Sequence, residues 1–258
     1  MNLYDEVKFP LFPKNALQNT PTQACAVMSE AEERKWRQGI ISFLWEFGKV
    51  LRLPDASIAT ASVFFHRYYA RYAFENSYAD VEMCALSCLF LAAKIEGTAI
   101  KIRKFCEQYY QFKGQSSPHI DGKQSKKVEN IITEKEMKLL ESNEFTLWIE
   151  HPYRYYLMLI RHKLQSIVDP KSAKTIALEG YQLITRSFLT NMCLSYSPKE
   201  IAVIVLDMLA KRYKVSIPKR IPFMADWLSE FCTELTKEDV ALVTSEILAV
   251  SSKTKVAS

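Results

Sequence analysis

Cys84 and Cys88 stand four residues apart, the spacing that puts two side chains on one helix face, where two thiolates could hold a metal ion. A closed zinc site needs two further ligands, and no paired Cys or His offers them, so the competing reading is two small side chains in a core. The four histidines, His66, His119, His151 and His162, are too scattered to suggest a triad, and neither G-x-S-x-G nor H-E-x-x-H occurs. His66-Arg67 matches the opening of a kinase catalytic loop, yet Tyr68 follows where that loop needs an aspartate base. The six glycines never form G-x-G-x-x-G or G-x-x-x-x-G-K, so nothing cradles a phosphate. These patterns point to no catalytic residues, no cofactor and no metal.

What remains is electrostatic. The apolar run that closes with Leu91-Ala92-Ala93 passes directly into Lys94-Ile95-Glu96. A cation at a helix C-terminus complements the macrodipole and satisfies last-turn carbonyls, which by itself accounts for Lys94. Glu136 lies on a later helix that a compact bundle can set beside that end, so Lys94 and Glu136 can present one charged pair at a rim. Such a pair beside apolar helix ends suits the docking of a partner's backbone groups. Lys123, Lys126 and Lys127 form the densest basic cluster, but no aromatic residue alternates with them, so a solvated loop is favoured over nucleic-acid contact.

The elements that position these residues are helical. Only six glycines and ten prolines in 258 residues, with 48% hydrophobic side chains, argue for a helix-rich globular chain with a sizeable core. The longest apolar run, Met83 to Ala93, is about half a membrane span, and the start of the chain has no signal-peptide core, so a soluble intracellular protein is expected. The scattered cysteines fit a reducing compartment. A net charge of +5 makes the surface mildly basic without demanding nucleic acid.

Residues 1–28, with Pro10, Pro13 and Pro21 among Leu11, Phe12, Leu17 and Val27, read as an extended docking arm. Ser29 and Glu32 form a capping box, and Ile40, Phe43, Leu44, Phe47, Val50 and Leu51 follow at helical spacing up to Pro54. Asp55 is the expected cap of a second helix, Tyr78 to Ala93 form a third, apolar nearly all round, and 102–112 a fourth. Residues 114–127 read as a mobile loop and 128–143 as a fifth helix. Pro152 then opens helices expected at 152–166, 171–190, 198–213, 222–234 and 237–250, with Asp169, Ser197 and Thr236 as caps.

Residues 57–95 and 175–213 align without a gap at an offset of 118, as between Ile58 and Ile176. Ser57-Ile58-Ala59 answers Thr175-Ile176-Ala177, Tyr78 answers Tyr196, and Lys94-Ile95-Glu96 answers Arg212-Tyr213-Lys214. Two similar helical domains in tandem are expected, with the divergence at this last position marking the first copy as the docking one.

As a set these residues resemble the cyclin family. Arg37-Gln38, Phe65-His66-Arg67-Tyr68-Tyr69, Leu89 to Glu96, and Glu136 nine residues before Phe145-Thr146-Leu147 resemble a first cyclin box. Tyr196-Ser197-Pro198 with Ile201-Ala202-Val203 resembles a second. His66, the junction His151-Pro152-Tyr153 and the arm Leu17-Gln18-Asn19-Thr20-Pro21-Thr22 resemble the transcription-associated group, cyclins K, T and L. Trp36-Arg37-Gln38-Gly39-Ile40 departs from the substrate-docking patch of cell-cycle cyclins, and Gly97-Thr98-Ala99 replaces the usual second acidic residue and Thr-Pro.

The resemblance implies an all-α fold of two five-helix boxes, at 29–148 and 149–251, with the arm at 1–28 and a tail at 252–258. It implies a nuclear, non-enzymatic regulatory subunit that binds and activates a cyclin-dependent protein kinase as a heterodimer and directs it to the RNA polymerase II tail. Lys94, Glu96 and Glu136 are then the kinase-binding residues, with Phe64, Tyr68 and Phe105 as apolar contacts, and the 114–127 loop as a place for recruitment factors. The alternative is a double cyclin-box transcription factor or scaffold contacting DNA and polymerase machinery.

Overall fold

The computed structural model describes residues 11–14, 20–75, 77–114, 122–164, 166–218 and 227–253. Among these the chain is helical, with no strand. The arm carries a single short turn, α1 (Pro21–Ala24), whose N-cap Thr20 is buried with Thr22. Leu17 to Asn19 of the quoted arm motif lie outside the described residues.

The long helices begin and end where local chemistry permits. α2 (Glu30–Val50) starts on the Ser29–Glu32 capping box, each side chain serving the other residue's backbone N–H. It buries Ile40, Ile41, Leu44 and Phe47 and leaves Val50 exposed. α3 (Asp55–Arg71) takes Pro54 as its N-cap, and Asp55, expected as the cap, is its first residue. Asp55 instead accepts a hydrogen bond from the Tyr181 hydroxyl, 3.0 Å away, and pairs with Lys49.

α4 (Tyr78–Ile95) is buried from Val81 to Ala93 apart from half-buried Met83, and packs against α2, α3 and α6 (Gly122–Ser142). It is the centre of this bundle, as its all-round apolar sequence requires. α5 (Ile102–Phe112) lies against α6 and α2. The expected loop is corrected over 122–127, which form the first turns of α6; residues 115–121 lie outside the described residues. The Lys- and Gln-rich start of α6 has no apolar period to announce it.

The second bundle repeats the scheme. α7 (Pro152–Leu159) runs into a π-helical turn, Ile160–Leu164, and packs on α9 (Pro198–Arg212). α8 (Pro170–Ser187), capped by Asp169, and α10 (Lys237–Lys253) cover the other sides of α9, which has Ser197 and Glu200 as a capping box. The helix expected at 222–234 is not formed over 227–234, where the chain makes turns; 222–226 lie outside the described residues.

Side chains lock the two bundles together. His66 of α3 bonds through Nε2 to the Phe188 carbonyl at 2.8 Å, which makes that nitrogen the donor. Its Nδ1 then faces the Arg37 guanidinium, 3.4 Å away. Arg37 is buried with Glu33 at 2.6 Å and also donates to the Tyr69 carbonyl, while Glu33 accepts from Thr20 and Gln23 of the arm. A buried arginine needs this many partners, because an unpaired charge out of water costs several kcal/mol, on the order of 3–5. Arg34 adds an ion pair to Glu246 of α10 at 2.9 Å, and the arm reaches the second bundle through Phe12 N–H to the Leu194 carbonyl and Lys14 to Asp239.

Candidate functional site

α4 stops in a cap that leaves its last basic residue facing outward. Gly97 turns left-handed at φ 71°, its N–H bonds to the Lys94 carbonyl, and the Thr98 N–H bonds back to the Ala93 carbonyl at 2.8 Å. This is the paired closure of a helix end through a left-handed residue, cheapest with glycine. Ala93 is the last buried residue of α4, and Lys94, directly after it, is exposed.

Because α6 packs along α4, its Glu136 meets that end. Lys94 Nζ donates to both carboxylate oxygens, at 2.7 and 2.9 Å. The Lys94 side chain is 42% exposed and that of Glu136 18% exposed, so the pair is fixed yet open on one side. The ammonium also lies 4.5 Å from the centre of the Phe90 ring, a cation over an aromatic face. The third ammonium proton and the remaining lone pairs of the carboxylate can meet the carbonyls and N–H groups of an arriving segment.

Glu96 is turned elsewhere. Its Oε1 accepts from the Thr60 hydroxyl of α3 at 2.7 Å, and Thr60 is also 2.9 Å from His151 Nε2. The structure thus joins Lys94 with Glu136 and seats Glu96 against α3.

Phe64 and Phe105 have no exposed surface and Tyr68 has 8%, so the three expected apolar contacts are corrected to core residues. The physical reason is the layering: α4 and α6 cover α3, and Phe105 stacks edge-on to Phe90 at 5.3 Å and to Phe47 at 5.4 Å. Phe105 therefore reaches the rim only indirectly, by supporting the ring beneath Lys94.

Exposed apolar surface along α6 and its exit comes from residues not singled out for docking. Met137, next to Glu136, is 57% exposed, and where the chain leaves α6, Phe145 is 64% and Trp148 68% exposed. Glu144 and Phe145 are both left-handed, at φ 51° and 54°, unfavourable conformations for L-residues. Arg71 holds this exit by pairing with Glu144 and donating to the Ser142 carbonyl, and Arg67 donates to the Thr146 carbonyl at 3.4 Å. The usable signal was the spacing of Met137 off the buried Ile132 and Leu139 face; the exposure of Phe145 depends on the turn.

Cys84 and Cys88 are both fully buried, and burial, reinforced by Cys84, pushes the Cys88 thiol well above its ordinary value. They pack as core side chains. Among the described residues no group of three His, Cys, Asp or Glu could hold a metal ion, and no helix is long and apolar enough to cross a membrane.

The family model described as Cyclin, N-terminal domain, matches residues 11–147, more than half of the chain. Cyclin pch1 of Schizosaccharomyces pombe is 29% identical over 233 residues, which cover 89% of this chain and 65% of that protein. Cyclin-T2 of Homo sapiens is 27% identical over 246 residues, covering 94% of this chain and 32% of that protein. The chain thus spans less than two thirds of the length of these relatives. Its fold is similar to that of a chain in the crystal structure of the yeast RNA Pol II CTD kinase CTDK-1 complex, with a TM-score of 0.74 at 17% identity over 93% of this chain and 72% of that one.

Proposed function

The chain belongs to the cyclin family, and from that premise we propose that it is the regulatory subunit of a cyclin-dependent protein kinase of the transcription class, acting on the RNA polymerase II tail. The observation that carries this reading is the rim: a preformed Lys94–Glu136 pair, open on one side, with exposed Met137 next to Glu136 in the chain. A fixed charged pair with hydrogen-bonding capacity still open is what a protein partner can bury on docking. The likeness to Cyclin-T2 and to a chain of an RNA polymerase II tail kinase complex supports the choice of kinase class.

Activation in this reading is a population shift. A kinase whose regulatory helix fluctuates holds its catalytic Lys–Glu pair apart, and a rigid helical face that binds only the aligned arrangement favours it. The cyclin supplies no catalytic group; it supplies a surface that differs in affinity between the two kinase states. We assign residues 29–148 to a first box that meets the kinase and 149–251 to a second, with 1–28 as the arm and 252–258 as a tail. Glu96 belongs to the same rim in a supporting place, and the subunit works in the nucleus.

Co-purification tests the reading. The chain is expected to capture a cyclin-dependent kinase and raise its activity on a heptad-repeat peptide of the polymerase tail, and the Lys94→Ala, Glu136→Ala double variant is expected to lose both. Full binding and activation by that variant would refute the assignment.

A further inference from the structure

Glu96 follows Lys94 by two residues in the turn that closes α4, and on its own it would add a free carboxylate to the docking rim. It is held away by a directed relay. A carboxylate only accepts hydrogen bonds, so the single Thr60 proton goes to Glu96 Oε1 at 2.7 Å. Thr60 must then accept from its other neighbour, which makes His151 Nε2, 2.9 Å away, the donor. The imidazole is the neutral Nε2–H tautomer, and its Nδ1 is shut off from solvent without a hydrogen-bond partner. The ring packs edge-on to Phe188, with centroids 6.1 Å apart. His151 immediately precedes α7, so the relay runs from the second bundle through α3 to the end of α4. A parallel contact ties Thr98 to Ser57 of α3, with their hydroxyl oxygens 3.1 Å apart.

We propose that His151 is a positioning residue for the docking rim: through Thr60 it holds Glu96 against α3, so that a kinase meets the Lys94–Glu136 pair on a fixed turn. The inference rests on the rim being the kinase-docking surface. It makes the entry to the second bundle part of recognition by the first, although His151 itself need not touch the partner. Without the relay, Glu96 is a mobile anion beside the only ammonium of the rim pair, and the turn at Gly97 and Thr98 loses one of its two fastenings.

The test has two readouts on the full chain. Amide hydrogen exchange at Thr98, whose N–H closes the turn, is expected to quicken roughly three- to tenfold in Thr60→Val and His151→Ala, the loss of one buried hydrogen bond. It is expected to return to the wild-type rate in His151→Gln, whose amide nitrogen offers a donor at a similar reach, and in Thr60→Ser. Affinity for the co-purified kinase is expected to fall and recover in the same order. Unchanged exchange in both disrupting variants, or no rescue by His151→Gln, overturns the positioning role. Faster exchange with unchanged kinase affinity, in a protein where Lys94→Ala does weaken binding, also overturns it. Unweakened binding in Lys94→Ala and Glu136→Ala instead overturns the docking assignment, and the exchange data still decide whether His151 fixes the turn.

Discussion

Lys94 of α4 and Lys211 of α9 occupy the same place in the same kind of helix end, yet their charges are answered from different directions. Gly97 and Lys214 are the left-handed residues, at φ 71° and 55°, and Thr98 and Val215 close the turns onto Ala93 and Ala210, both at 2.8 Å. The caps therefore register the copies at an offset of 117, as between Lys94 and Lys211, one residue short of the 118 that the sequence alignment favours. Glu96 then answers Tyr213, and the pairing of Lys94 with Arg212 is replaced. Lys211 is neutralised within its own helix by Asp207 at 2.6 Å, whereas Lys94 reaches across to Glu136 of α6. The second copy makes its bridge between helices one residue further on, where Arg212 pairs with Glu179 of α8.

Removing that bridge should cost binding and little else. An exposed ion pair contributes about 0–1 kcal/mol to folding, so Lys94→Ala and Glu136→Ala should each shift the urea midpoint only slightly. Kinase affinity, measured by calorimetry, should fall by about tenfold or more for either variant, since contacts desolvated on docking are worth more. The double variant should show clear non-additivity.

Phe145 separates folding from docking in the opposite sense. Its side chain is 64% exposed and its backbone is left-handed at φ 54°. Phe145→Gly relieves the backbone strain at the expense of unfolded-state entropy, so denaturant stability should stay level or rise by up to about 1 kcal/mol. Kinase binding should weaken in the same variant.

Gly180 of α8 tests the packing of the second bundle. A Cβ there would lie 2.0 Å from the hydroxyl of Tyr156, which is fully buried and donates to the Ile176 carbonyl at 2.7 Å. Gly180→Ala gains about 1 kcal/mol of helix propensity, but forcing a buried tyrosine aside costs about 1–3 kcal/mol and breaks its bond. Thermal denaturation should show a net loss of stability.

Acid should unlock the seam between the bundles. Burial, with the Arg37 charge beside it, lowers His66 to about 3, and burial lowers His151 to about 4. In the unfolded chain both titrate near 6.5, so between about pH 6.5 and 4 the unfolded state binds more protons than the folded one. Stability is full above the unfolded value and falls as pH drops, with a slope approaching about 1.4 kcal/mol per pH unit for each histidine. His66→Gln, with urea unfolding followed from pH 7.5 to 4.5, should show a shallower decline than the wild type.

Much of the scaffold was legible because its signals are local. The Ser29–Glu32 and Ser197–Glu200 capping boxes, Asp169 as a cap and the all-round apolar α4 each depend on residues a few positions apart. Lys94 and Glu136 were placed together by the expected packing of a compact bundle and then by the family pattern, and the packing of α6 on α4 supplies the contact. The start of α6 at Gly122 was not legible, since its first turns are polar and gain their place from the helix they extend. Phe64 stands on the apolar face that periodicity marks as inner, but periodicity does not say how completely later helices cover it, and neither Phe64 nor Phe105 keeps any exposed surface. The Glu96–Thr60–His151 relay joins residues up to 91 positions apart, and only the folded chain brings them together.

The seam also sets an order of events during synthesis. His66 bonds to a residue 122 positions later, Arg34 to one 212 later and Lys14 to one 225 later. While the ribosome is still extending the chain, α2 and α3 can already pack, but His66 has no acceptor until Phe188 has emerged, and Arg34 waits for α10. The nascent first bundle therefore carries a half-finished polar face until α10 has emerged, and that face closes only when both bundles are present.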